Sequence, residues 1–483
     1  MKELQRLMRA SLSGIATALV LWGLISTGKA AAKPNVILIL SDDHRYDFMG
    51  FMQRVPGLET PAMDRMAREG LVFRNAFVST SLCSPSRASI LTGRYAHNHV
   101  VVDNQRPIPP GTVFFPPLLQ QAGYRTAFIG KWHMGDVGDE PQPGFDHWIS
   151  YRGQGTYFDP YLNIDGVRVK REGYTAEIVT DYALDWIRQV KDQPFFLFLS
   201  HKSVHAMFEP ARRHLGRYEN LPIPYPETMA DTPENYAGKP KWVRAQRNSW
   251  HGVDYMYHGQ MDFDTFYRRY LETLLGLDEN IGRVLEFLEQ EGLDRNTIVI
   301  YTSDNGFCLG EHGLIDKRHM YEESLRVPFL VWAPGLFPEP RRLEQMIQNI
   351  DLAPTILELA GVPVPENMDG RSFAPLLRGE PVTWRDAVFY EYYWEWNFPQ
   401  TPTVLGIRTD RFKYIFYHGV WDIDELYDVR NDPQEKRNLA QDPEYREQVR
   451  DLRKRLFDWL EREDALAIPF RRPLGFRADQ SKP

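Results

Sequence analysis

The sequence predicts an α/β fold built on a large, mostly parallel sheet. Unbroken apolar runs recur at 36–40, 195–199, 297–301 and 327–331, as expected of strands covered on both faces. Helical patterns separate them, most clearly through Phe266, Tyr270, Leu274, Leu277, Ile281, Leu285 and Leu288, at spacings of three and four. Two of the runs lead into Ser41-Asp42-Asp43 and Ser303-Asp304-Asn305, at the strand ends beyond which such sheets bind ligands.

The first 32 residues read as an export signal. Lys2, Arg6 and Arg9 make a basic start, 15–25 is an apolar run too short to span a bilayer comfortably, and Ala30-Ala31-Ala32 offers a cleavage site; the alternative is an uncleaved membrane anchor. No other stretch is apolar enough to span, so cleavage leaves no stable membrane segment and the mature protein is expected in the periplasm or outside the cell. Residues 33–370 read as the large α/β domain. Within it, 206–262 is rich in Pro, His, Trp and Tyr with little periodicity, as expected of an insertion near the strand ends. After Gly370-Arg371-Ser372 the texture changes. Residues 371–483 read as a small α+β subdomain and tail, with short aromatic and β-branched runs over 385–430, a turn at Asn431-Asp432-Pro433 and a charged helix over 443–463.

The 483 residues are 43% hydrophobic and 25% charged, ample for a large core. Lys2, Arg6, Arg9 and Lys29 against Glu3 give the first 32 residues a net charge of +3, so the rest carries −11 against −8 for the whole chain. Such acidity argues against a nucleic-acid binder. An anionic substrate then needs positive charge concentrated in a pocket. The two cysteines, Cys83 and Cys308, are too few for a disulfide framework, a pattern that suits a bacterial exported enzyme.

Cys83-Ser84-Pro85-Ser86-Arg87 is the densest chemical signal. Pro85 fits a helix start, which places Cys83 just before the N-terminus, where free N–H groups and the helix dipole favour negative charge. Arg87, one turn on, can direct its guanidinium at the same anion. Asp42, Asp43, Asp304 and Asn305 form a hard, all-oxygen ligand set that suits Ca²⁺ or Mg²⁺ and not zinc. Lys131 and His133 lie in Gly130-Lys131-Trp132-His133 after the strand-like 126–129; His205 follows the 195–200 strand; Lys317 lies within 310–318. His201, Lys202, His312 and Arg318 are neighbours without an assigned part.

The Cys83 pentapeptide, continued by Ala88-Ser89-Ile90-Leu91-Thr92-Gly93-Arg94, resembles the signature of the type I sulfatases, in which the cysteine is oxidised to formylglycine. The resemblance covers about 34–440 and implies an alkaline-phosphatase-like α/β sandwich with a small C-terminal subdomain. It further implies a cation, Ca²⁺ rather than Mg²⁺, held by Asp42, Asp43, Asp304 and Asn305 beside the group derived from Cys83. Arg87, Lys131 and Lys317 would hold the sulfonyl oxygens. A hydrated aldehyde offers one hydroxyl to attack sulfur and a second whose deprotonation expels sulfate. By resemblance His205 is the acid and His133 the base; the residues alone leave that order open. A formylglycine-generating or anaerobic sulfatase-maturating enzyme is the implied partner.

The run from Arg94 to Asn104, with Asp316-Lys317-Arg318 and Tyr321-Glu322, is similar to N-acetylglucosamine-6-sulfatases and extracellular heparan sulfatases. A sulfated carbohydrate is therefore the expected substrate, with N-acetylglucosamine 6-sulfate foremost. Tyr390 to Trp396 offer aromatics for sugar stacking or for an ordinary core. The alternatives are a phosphonate or phosphate monoester hydrolase of the same superfamily and a silent glycan-binding homologue.

Overall fold

The computed structural model describes residues 33–420 and 422–469. The segment expected to be an export signal lies outside the described residues. No helix among the described residues is long and apolar enough to cross a membrane.

Strands β1 (Asn35–Ser41), β2 (Leu71–Phe77), β3 (Arg125–Lys131), β4 (His147–Tyr151), β5 (Tyr161–Ile164), β6 (Val167–Lys170), β7 (Phe195–Ser200), β8 (Thr297–Ser303), β9 (Phe329–Trp332) and β10 (Arg341–Gln348) form one sheet. Their spatial order is β10-β2-β9-β8-β1-β7-β3-β4-β5-β6. The central strands β8, β1, β7, β3 and β4 are mutually parallel, so their C-terminal ends share one edge.

Alternation along β1 explains the layers. Val36, Leu38 and Leu40 join one core with Ala88, Ile90 and Leu91 of helix Cys83–Thr92 and with helix Leu352–Leu359. Ile37 and Ile39 join the opposite core with the long helix Phe263–Gln290, through Phe266, Tyr270, Leu274, Leu277 and Ile281. All five β1 residues are fully buried, each worth about 1.5–3 kcal/mol of transfer free energy. Asp262 caps the long helix by accepting from the Thr265 N–H at 2.9 Å.

The sheet is not parallel throughout. The run at 327–331, expected to be one more strand of a mostly parallel sheet, forms β9 only from Phe329, after Pro328, and runs antiparallel to both β2 and β8. The chain between β8 and β9 holds no long crossover helix, so β9 starts at the edge where β8 ended, and a neighbouring strand must then run back. The C-terminal subdomain is a four-stranded antiparallel sheet of β11 (Ala387–Tyr392), β12 (Thr403–Thr409), β13 (Phe412–His418) and β14 (Glu425–Asp428). Helix Arg446–Arg462 packs on it through Leu452, Leu456, Trp459 and Leu460.

One glycine fixes the approach of β3 to β7. Gly130 has φ +119°, and a Cβ there would lie 1.8 Å from the Ser200 carbonyl oxygen. Gly166, in the β5–β6 turn, has φ +92° but open space around it. Gly130→Ala is expected to cost at least about 3 kcal/mol from strain plus overlap, and Gly166→Ala about 1 kcal/mol from strain alone. Urea unfolding midpoints of the two variants check this contrast.

Candidate active site

The register of β1 on β8 pairs Ser41 with Ser303, so Asp42-Asp43 and Asp304-Asn305 emerge side by side. The ladder continues past the strands: the Asp304 N–H donates to the Ser41 carbonyl at 3.1 Å, and the Asp43 N–H donates to Asp304 Oδ1 at 3.2 Å. Asp43 sits in the left-handed region at φ 61°. Such positions cost about 1–3 kcal/mol and persist where surroundings enforce them. Here Tyr270, from the long helix, donates to the Asp43 carbonyl at 2.8 Å.

On the other face, Cys83 opens helix Cys83–Thr92, with Pro85 third rather than first. The one-to-two-residue shift leaves the missing proline N–H in the first turn, where it costs no bond. Asn104 Oδ1 accepts the Ser84 N–H at 2.9 Å. Cys83 Sγ lies 3.6 Å from Asp42 Oδ1 and receives a hydrogen bond from Lys317 Nζ at 2.9 Å. The same Nζ donates to Asp43 Oδ1 at 2.5 Å. Lys131, at the end of β3, donates to Asp42 and, at 2.5 Å, to Gln154 Oε1. Arg87 donates through Nε to Asp304 (2.9 Å) and through Nη1 to the Lys131 carbonyl and Ser200 Oγ (both 2.7 Å), which leaves Nη2 buried without a partner.

Asp42, Asp43, Cys83, Arg87, Lys131, His133, Asp304, Asn305 and Lys317 are all buried, and His205 is nearly so. Burial pushes the Asp42 carboxyl up, but Lys131, His205, Lys317 and Arg87 outweigh it and hold it well below the usual carboxylate range. Asp43 and Asp304 are held above that range, first by burial; Asp304 reaches about 7, with the Asp42 charge as the next cause. Burial pushes the Cys83 thiol up to about 12, against the pull of Lys131 and Lys317. An unmodified thiol here is not the thiolate that nucleophilic chemistry requires.

The donor set also fits a divalent cation. One oxygen from each of Asp42, Asp43 and Asp304 lies within 4.8 Å of the others. Asn305 Nδ2 donates to Asp43 (2.7 Å) and to the Gly306 carbonyl (2.8 Å), while its Oδ1 is buried with no partner. A spare buried oxygen among three carboxylates is what a hard cation needs.

His205 and His133 face a cavity of about 420 Å³, together with Asp43, Lys317 and Gln154. His205 Nδ1 donates to the Ala206 carbonyl (2.5 Å), and its Nε2 lies 3.8 Å from Asp43 Oδ2. Burial first, then Lys131 and Arg87 for His133, keeps both histidines well below the ordinary imidazole range. The outer wall is Trp250, His251, Asp316, Arg318, Asn397 and Phe398. Arg318 donates to Asp316 (2.9 Å) and Glu395 (2.8 Å) and lies 3.6 Å over the Phe398 ring; His251 Nδ1 is 3.0 Å from Asp316.

The structure thus brings together every singled-out site residue and adds others. Gln154 carries one faint mark, its place between two glycines after a strand-like run. Trp250 and His251 come from the aperiodic 206–262 segment, which does reach the cavity. Arg318, left unassigned, lines it. His201, Lys202 and His312 do not: Lys202 lies 4.8 Å over the Tyr157 ring and His312 packs on Tyr321 at 4.1 Å. Of the two options for Tyr390 to Trp396, the tyrosines take the core. Tyr390, Tyr392 and Tyr393 are buried, and Trp394 and Trp396, though exposed, do not line the cavity. Alternation along β11 turns Tyr390 and Tyr392 to one buried face, and Phe398 takes the position at the wall.

Comparisons with known proteins give the family. The family described as Sulfatase matches residues 34–362, and the one described as N-sulphoglucosamine sulphohydrolase, C-terminal, matches residues 310–462. An N-acetylglucosamine-6-O-sulfatase of Bacteroides thetaiotaomicron is 36% identical, over 87% of this chain and 85% of its own. The N-acetylglucosamine-6-sulfatase of Homo sapiens is 33% identical, over 79% of this chain and 71% of its own. A solved structure of a protein in complex with its substrate, D-glucosamine-2-N,6-O-disulfate, is 34% identical with a TM-score of 0.83, covering 91% of this chain and 100% of that one. The fold is alkaline-phosphatase-like, and with its family match spanning more than half of its length the chain belongs to the sulfatases, hydrolases of sulfuric esters.

Proposed function

We propose that this chain is an exported, formylglycine-dependent, Ca²⁺-binding sulfatase that removes the 6-sulfate from N-acetylglucosamine units of glycosaminoglycan or mucin-type glycans. The observation that carries the reading is the setting of Cys83, buried against Lys317 and Asp42 one contact behind the cavity wall, where its thiol stays protonated. A cysteine so placed suits a precursor better than a working thiolate. Oxidised and hydrated, it supplies an attacking hydroxyl and a second one through which sulfate can leave. A divalent cation at Asp42, Asp43, Asp304 and Asn305 supplies positive charge for the sulfonyl oxygens.

The chain's own groups then divide the work. Arg87 Nη2, the arm without a partner, is assigned to a sulfonyl oxygen, with Lys131 and Lys317 beside it. His205 is assigned as the acid. Its Nδ1 bond to the Ala206 carbonyl turns Nε2 toward the cavity, 3.8 Å from Asp43 Oδ2, from where it can pass a proton to the leaving alcohol oxygen. An anionic ester arriving nearby raises the depressed histidine pKa values toward the working range. His133 is assigned as the base. Asp316, Arg318 and His251 present a carboxylate, a guanidinium and an imidazole to the outer cavity, a set suited to sugar hydroxyls. The relatives that act on glucosamine sulfates support this substrate class, and the basic, apolar, small-residue order of 1–32 supports export through the cell's secretion route. A maturating enzyme must act on Cys83 before the site closes.

Sulfate release from N-acetylglucosamine 6-sulfate, 4-O- and 2-O-sulfated sugars, an aryl sulfate and the matching aryl phosphate, followed by ion chromatography and chromophore release, tests the reading. The 6-sulfate should lead the sugars and the aryl sulfate should exceed the phosphate. Faster phosphate hydrolysis would favour a phosphomonoesterase, and glycan binding without any release a silent homologue. Chelation should abolish the release, and Ca²⁺ should restore it better than Mg²⁺. Elemental analysis should find about one calcium per chain in the wild type and much less in Asp304→Ala, since a hard-cation site depends on its carboxylate count.

A further inference from the structure

We propose that Gln154 is a positioning residue that fixes the tautomer of His133 and holds Lys131 in place. The inference rests on the assignment of those two residues to sulfate hydrolysis. Gln154 lies in the loop after β4, on the strand next to β3 at the same edge of the sheet. Lysine has three donors and no acceptor, so the Lys131 Nζ contact at 2.5 Å must be to the amide oxygen. This settles the amide orientation by chemistry, and the amide nitrogen is left facing His133 Nε2 at 3.4 Å. An amide nitrogen only donates. His133 Nε2 therefore presents a lone pair, and its proton sits on Nδ1, which is buried without a partner.

Among the described residues no other hydrogen bond to the ring is formed. The Asp136 carboxylate is 3.9 Å from Nε2 and largely exposed; burial first, then Lys131, Arg87 and Lys317, disfavour the imidazolium, and Asp42 favours it. At 3.4 Å the Gln154 contact is long, so it can align the lone pair toward the cavity and still yield to an incoming proton donor. A base whose lone pair is already directed loses less on the way to the transition state.

Two variants test this in matured, calcium-loaded enzyme. Gln154→Met keeps the length and removes both bonds. Gln154→Glu keeps the bond to Lys131 but turns a donor into an acceptor, which favours a proton on His133 Nε2. Gln154 is only partly buried, so both chains should fold. ¹⁵N spectra of histidine-labelled protein, with His133→Gln to assign the signal, should show Nε2 unprotonated in the wild type and protonated in Gln154→Glu. On an aryl sulfate, Gln154→Met should lower kcat roughly 10- to 100-fold with KM changed less than about threefold, within the span set by general-base catalysis. Gln154→Glu should move the acidic limb of the kcat profile to higher pH, since a neighbouring carboxylate raises the imidazole pKa. A protonated Nε2 in the wild type, or a Gln154→Met enzyme with wild-type kcat, would overturn the proposal. If the wild type itself released no sulfate, the proposed function would fall, while the ¹⁵N signal would still decide the part of Gln154.

Discussion

Three carboxylates are buried at the tips of two adjacent parallel strands, and the rest of the site answers that constraint. Asp42, Asp43 and Asp304 cannot all be ionised side by side in a dry interior without counter-charge. Arg87, Lys131 and Lys317 supply it, each from a different element: the helix of Cys83, the end of β3 and the loop after β8. Even so, Asp43 and Asp304 remain above the ordinary carboxylate range, and Asn305 keeps an unused oxygen. Three lysine and arginine charges balance three carboxylates. A divalent cation added to that balance would leave the site net positive, suited to an anionic ester inside a protein that is acidic as a whole.

The fold makes this arrangement possible because parallel strands deliver their C-terminal ends to one edge. The run β8-β1-β7-β3-β4 sets Asp304-Asn305, Asp42-Asp43, the His205 loop, Lys131 with His133, and Gln154 in spatial sequence along that edge. The two helical layers contribute differently. Helix Cys83–Thr92, buried along its whole length, brings Cys83 from one face. The long helix sends Tyr270 from the other to brace the strained Asp43 backbone. Gly130 lets β3 and β7 approach closely enough for Arg87 to bridge the Lys131 carbonyl and Ser200.

Much of this was legible in the chain. The apolar runs of β1, β7 and β8 and the period of the long helix depend on local burial, and local burial leaves a mark in sequence. Asp42, Asp43, Cys83, Arg87 and Asp304 were legible because their chemistry is concentrated in short motifs at strand ends. What escaped depends on tertiary placement. The direction of β9 follows from the loop before it and not from its own residues. Tyr390 and Tyr392 look as ready for a sugar as for a core until β11 turns them inward, while Phe398, just beyond, takes the wall. Gln154, Trp250 and His251 sit in stretches without periodicity, so no spacing marks them out.

The proposed mechanism of sulfate release depends on the chemical state of residue 83. Mass analysis of the tryptic peptide 75–87, from protein made in a host that carries cysteine-maturating machinery, measures it directly. An aldehyde at position 83 is the result expected from the Cys83-Ser84-Pro85-Ser86-Arg87 motif. A plain thiol in that competent host, in protein that still releases sulfate, would contradict the formylglycine mechanism and require another nucleophile at the end of β1.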